Sequence, residues 1–145
     1  MKKILMIGLA VFLALPFASA KDVITKDVEK LPVLAREFIS KYFPDEKISY
    51  IEIDRGIASK TYEVTFVNGI DLEFNKKGEW KEVDTKNFPL PAGIVPDQIN
   101  EFVNQHFEKE FITQIEKKMF RYEIKLSNKM ELEFNKKGEL MEIDN

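Results

Sequence analysis

The chain has 145 residues, of which 32% are charged, with no cysteine and a formal net charge of −3. The lack of cysteine excludes disulfides, thiolate catalysis, cysteine-based zinc sites and an N-terminal lipid-modified cysteine. Acidic and basic side chains are interleaved rather than blocked, which describes a solvated surface and leaves no footprint for nucleic acid.

Residues 1–20 read as a secretory signal peptide. Lys2 and Lys3 supply the charged start. Ile4 to Leu15 is apolar but too short to span a bilayer well, and Pro16 breaks it. Ala18-Ser19-Ala20 has the small-x-small form of a cleavage site, so cleavage is expected between Ala20 and Lys21. The alternative is an uncleaved anchor. The processed chain would be 125 residues carrying 20 basic and 25 acidic side chains, with no membrane anchor left. Its length suits one domain, or two half-domains sharing a core.

Residues 21–30 are polar and without period, as in a mobile leader or a short edge strand. Leu31-Pro32 then opens a first repeat, 31–84. Val33, Leu34, Phe38, Ile39, Tyr42 and Phe43 recur at helical spacing, which predicts an amphipathic helix from Pro32 to Tyr42. A strand follows over 48–54 with Ile51 and Ile53 on one face. The next places Tyr62, Val64 and Phe66 on one face. Asn68-Gly69 is a tight-turn signal. Asp71 to Asp84 closes the repeat as a hairpin: Leu72 and Phe74 alternate with polar residues, and Asn75-Lys76-Lys77-Gly78 puts a glycine where a positive φ is needed.

A linker, 85–94, contains Pro89, Pro91 and Gly93. A second repeat, 95–145, follows the same plan. Val95-Pro96, Ile99, Phe102, Val103, His106 and Phe107 match the first helix at an offset of 64, and Ile115 matches Ile51. Tyr122, Ile124 and Leu126 match Tyr62, Val64 and Phe66 at an offset of 60. The first copy therefore has four extra residues near Arg55-Gly56-Ile57-Ala58. Glu131 to Asp144 repeats Asp71 to Asp84 with ten of fourteen positions identical. That is a tandem duplication. It predicts an α+β fold of two αββββ copies. The expected core is Leu34, Phe38, Ile51, Val64, Phe66, Leu72, Phe74 and Val83, with Phe102, Val103, Ile115, Ile124, Leu126, Leu132, Phe134 and Ile143.

No catalytic constellation assembles from these residues. The lone His106 matches Tyr42, so its position reads as a half-buried aromatic slot rather than a base or a ligand. No phosphate loop, dinucleotide fingerprint or calcium-loop spacing occurs, and no cofactor or metal is expected. The pairs Glu79/Glu82 and Glu139/Glu142 read as solvated strand faces. Strand parity assigns Tyr50, Trp80 and Leu140 to the sheet face opposite Ile51, Val83 and Ile143, among Glu63, Glu82, Lys125 and Glu142. A tryptophan and a tyrosine on such a face suit a protein-binding surface. Alternatively, Trp80 is covered by Phe88-Pro89-Leu90.

The signal peptide, the two copies of about sixty residues and the Phe-Asn-Lys-Lys-Gly-Glu hairpins at Phe74 to Glu79 and Phe134 to Glu139 resemble the PepSY-like, β-lactamase-inhibitor-like family of small secreted or periplasmic bacterial proteins. The resemblance covers roughly residues 31–145. It implies two helices on one face of an eight-stranded antiparallel sheet. It also implies that the open concave face grips a partner, as in the inhibitor of the family's name. On this basis the expected function is non-catalytic binding of a secreted or periplasmic protein, inhibitor-like or protease-modulating. A structural or regulatory envelope role is the alternative, and a small enzyme comes last.

Overall fold

A computed structural model describes residues 22–145. The signal peptide expected at 1–20 lies outside the described residues. The elements run β1 (Val23–Thr25), α1 (Val33–Tyr42), β2 (Ile48–Arg55), β3 (Lys60–Phe66), β4 (Asp71–Phe74), β5 (Trp80–Asp84), α2 (Asp97–His106), β6 (Ile112–Lys117), β7 (Arg121–Leu126), β8 (Glu131–Asn135) and β9 (Leu140–Asp144). A single 3-10 turn, Val28–Lys30, lies between β1 and α1.

All nine strands form one antiparallel sheet whose spatial order is the chain order. The ninth strand relative to the expected eight is β1, which pairs with β2 through Val23, Ile24 and Thr25. The helices enter the sheet in the same way, α1 between β1 and β2 and α2 between β5 and β6. Each starts after a proline at its cap, Pro32 and Pro96, where the missing N–H is no loss. The helices cover one face, an α+β architecture.

The core lies between that face and the helices. One row across it reads Ile51, Val64, Leu72, Val83, Ile115, Ile124 and Leu132, every member at most 1% exposed. The two copies pack alike. Phe74 and Phe134 are both fully buried, with Phe38 of α1 edge-on to the first at 5.6 Å and Phe102 of α2 edge-on to the second at 5.4 Å. Tyr42 sits beside Phe38 at 4.8 Å, and His106 stacks on Phe102 at 4.2 Å. His106 therefore packs on an aromatic ring as Tyr42 does, but it is exposed rather than half-buried as the repeat predicts.

Two expected core residues are on the surface. Leu34 is 50% exposed, and Ala35 takes the buried position instead. The repeat partner of Leu34 is Gln98, also exposed, so the position faces solvent in both copies. Ile143 continues the core row but is 45% exposed, because β9 is the last strand of the sheet and nothing flanks it.

The linker is held at its start. Thr85 is buried, and its N–H and its hydroxyl both donate to the Thr113 carbonyl, at 2.8 and 2.9 Å. It leaves the far end of β5 from Trp80, and Phe88 is 53% exposed, so Phe88-Pro89-Leu90 is not the cover of Trp80.

Candidate functional site

Strand alternation puts a residue on the open face beside every core residue. In this chain that neighbour is repeatedly glutamate. Glu52 precedes Ile53 and follows Ile51; Glu63, Glu73 and Glu82 adjoin Val64, Leu72 and Val83; Glu116, Glu123, Glu133 and Glu142 adjoin Ile115, Ile124, Leu132 and Ile143. The register then lines them up. Glu52 of β2 is opposite Glu63 of β3, which is opposite Glu73. The row continues through Glu82, Glu116, Glu123 and Glu133 to Glu142 of β9. Eight strands thus carry eight glutamates in one line across the face that no helix covers.

Like charges directly opposite across strands are unfavourable. Part of the row is compensated. Lys118 reaches Glu116 at 2.7 Å, Arg121 reaches Glu123 at 2.9 Å and Glu133 at 3.6 Å, and Lys81 reaches Glu73 at 3.4 Å. Glu52, Glu63, Glu82 and Glu142 have no ion-pair partner among the described residues. Burial, then Asp71, Glu52 and Glu73, raise the Glu63 carboxyl above the ordinary range. Burial and Glu116 raise Glu82, although the Gln114 amide donates to it. A parallel row starts at Tyr50 and passes through Thr65, Asp71 and Asp84 to Gln114. There Lys86 bridges Asp71 at 2.9 Å and Asp84 at 2.7 Å. Burial opposes its charge, but these two bonds outweigh burial and hold its ammonium well above the ordinary range.

Of the residues assigned to this face by parity, Tyr50 lies on it, opposite Thr65 and 37% exposed. Trp80 and Leu140 do not. The pairing Glu73↔Glu82 is followed by Phe74↔Trp80, so Lys81 is an extra residue in a β-bulge, and parity flips across it. Trp80 therefore shares the side of buried Phe74. It packs 6.3 Å from Phe38, and the Lys117 ammonium sits 4.1 Å above its ring. The same bulge between Glu133 and Phe134 turns Leu140 to the helix side, opposite Phe134. Sequence reasoning missed the glutamate row, whose signal is the apolar–glutamate dipeptide in eight of nine strands.

The open face is thus an acidic surface, with four of its eight aligned glutamates lacking an ion-pair partner among the described residues. Among the described residues no set of three His, Cys, Asp or Glu is gathered tightly enough to hold a metal ion, and no helix is long and apolar enough to cross a membrane.

The fold and face define a helix-backed antiparallel sheet with one open, acidic side. Residues 60–142 match the family described as "Putative beta-lactamase-inhibitor-like, PepSY-like", and the chain belongs to that family. It is similar to a periplasmic protein of unknown function from Bacteroides vulgatus, 37% identical, with a TM-score of 0.82 over 86% of this chain and 100% of that one. A second periplasmic protein of that organism is 36% identical, with a TM-score of 0.82 over 88% and 99% of the two chains. A third similar structure, from Bacteroides thetaiotaomicron, bears the description "putative calcium-regulated periplasmic protein" and is 39% identical, with a TM-score of 0.82 over 86% and 97%. No curated protein matches the chain. The protein is periplasmic or secreted, in keeping with the description of these relatives and of the family.

Proposed function

We propose that the protein is a non-catalytic binding module that takes a partner protein on the open face of its sheet, and that the glutamate row selects a partner presenting lysine or arginine side chains. The register carries this reading. Facing like charges cost about 0.2–1 kcal/mol per pair. Folding alone does not favour seven such pairings in line. Rules of this kind are broken at functional sites, and a partner's cations would relieve the repulsion. The inhibitor-like description of the family fits a binding role. Tyr50 adds an aromatic contact at one end of it. Trp80 and Leu140, which face the helices, take no part.

A second reading follows from the calcium-regulated description of one relative. Divalent cations bridging neighbouring glutamates would compete with a basic partner, so calcium would set how much of the row is free.

The test is capture from periplasmic extract by the chain from Lys21, against a Glu63→Gln, Glu82→Gln, Glu123→Gln variant. A stoichiometric protein should be held by the parent at low salt, released by salt, and lost from the variant. Calcium should weaken capture if the second reading holds. Equal capture by both baits would refute the row as the selector. Retention of small molecules with no protein partner would favour an enzyme instead.

A further inference from the structure

The opposite charge collects at one end of the molecule. The β2–β3, β4–β5 and β6–β7 turns all lie at the same end of the sheet. The middle turn is short and tucked under α1, where the Gly78 α-carbon faces Pro32 and Ala35. The turns on either side flank a trough, with Ala58 on one wall, Met119 on the other and Trp80 between them. Seven of the residues lining it are lysines, and one, Glu79, is acidic. Glu79 accepts a hydrogen bond from the Asn75 amide at 2.7 Å.

Beyond the lysines stand bare apolar side chains. Ile57 is fully exposed at the β2–β3 turn, and Met119 and Phe120 are 80% and 77% exposed at the β6–β7 turn. Neither turn touches the core, so packing does not account for them. The lysine stems have apolar company: Lys117 lies over Trp80 and Lys136 over Tyr122, each at 4.1 Å. Burial lowers the ammoniums of both, and Lys136 lowers Lys117 further. Anionic groups in the trough would reverse that.

We propose that this end docks on an anionic phospholipid surface, with Ile57, Met119 and Phe120 entering the headgroup–acyl boundary and the trough lysines meeting the phosphates. Apolar tips rimmed by lysine are the anatomy of an interfacial anchor. The chain is acidic overall, yet this does not oppose docking. Charges more than about 8 Å from the surface are screened at physiological salt, so the membrane senses the basic end. The orientation follows: strands stand toward the membrane by their turns, and the acidic face stays open to the periplasm.

The test uses residues 21–145, which contain every element among the described residues, so that apolar Ile4 to Leu15 cannot bind lipid in its place. Trp80 is the only tryptophan, a native probe in the trough. The protein should sediment with vesicles of phosphatidylglycerol and phosphatidylcholine but not with phosphatidylcholine alone. Trp80 emission should shift to the blue on binding. Lys76→Ala with Lys136→Ala should weaken partitioning roughly 25-fold, about five-fold per lysine. Met119→Ser with Phe120→Ser, at exposed turn positions, should abolish sedimentation without altering the melting temperature. The idea fails if anionic vesicles are not bound, if the Met119/Phe120 variant binds as well as the parent, or if Trp80 emission is unchanged in the bound state. Binding of soluble polyphosphate without binding of vesicles also overturns it, in favour of a free anion.

Discussion

Trp80 shows how one residue's role turns on one inserted neighbour. Lys81 bulges out of the β4–β5 ladder, and its ammonium heads for Glu73 on the open face. Trp80 is thereby set beside Phe38 and under Lys117 on the helix side. Its partner in the second copy, Leu140, sits over Phe134 in the same way but on the sheet's edge strand. Trp80 is half-buried, so truncation loses part of the 3–5 kcal/mol typical of a buried aromatic. Trp80→Ala should cost about 2 kcal/mol, read as a lowered midpoint in urea unfolding. The matching change Leu140→Ala, at a more exposed place, should cost less. An unchanged midpoint for Trp80→Ala would mean the ring contributes nothing to packing.

At the scale of elements, the closing hairpins explain why the chain repeats Asn-Lys-Lys-Gly-Glu without change. The Asn75 carboxamide oxygen accepts from the N–H groups of Lys77 and Glu79, each at 3.0 Å, and Asn135 does the same for Lys137 and Glu139. Gly78 and Gly138 have φ of +87° and +83°. A β-carbon on Gly78 would lie 2.7 Å from the Pro32 β-carbon, and one on Gly138 would lie 2.9 Å from that of Gln98. Each hairpin tip is therefore keyed beneath the first turn of its helix. Gly78→Ala combines left-handed strain with a clash and should cost about 2–4 kcal/mol by thermal or urea unfolding. Gly69→Ala has the strain, with nothing near its added carbon, and should cost about 1–2 kcal/mol. Equal losses at the two sites would contradict the keyed packing. These hairpins, the helices and the core row were legible in the sequence because each rests on local spacing, and the duplication read every element twice. The facing of Trp80 and Leu140 was not, because a bulge leaves no mark on alternation. Nor was the burial of Ala35 in place of Leu34, since both fit a helical stripe and only packing chooses between them. The glutamate row was half legible: each glutamate adjoins a core residue in sequence, but their alignment depends on register across the whole sheet.

The whole molecule is a sheet with its charge sorted, an apolar side under helices, an acidic side open to solvent and a basic rim at the turns. The sorting has a thermodynamic consequence at the acidic side. Glu63 and Glu82 hold their protons more tightly in the fold than in the unfolded chain, whose carboxyls titrate near 4.5; burial comes first as the cause, then Asp71 and Glu52 at Glu63, and Glu116 at Glu82. A raised carboxyl makes the native state bind more protons than the unfolded state between the two titration points, so stability falls as pH rises through that window. The penalty is fully present at neutral pH. It is relieved on acidification through the folded-state value, above 4.5, down to about 4.5. The melting temperature should therefore rise as pH is lowered from 7 toward 4.5 at low ionic strength, with added salt producing part of the same gain at pH 7. Glu63→Gln with Glu82→Gln should raise stability at pH 7 by about 0.2–1 kcal/mol for each like-charge pairing relieved, and should flatten the profile. Gln at position 82 can still accept from Gln114, so packing is kept. A melting temperature that falls steadily from pH 7 to 5 in the parent, or a double variant no more stable than the parent at pH 7, would show that the row is already neutralised in the free protein. A basic partner or a divalent cation would then have no repulsion to relieve.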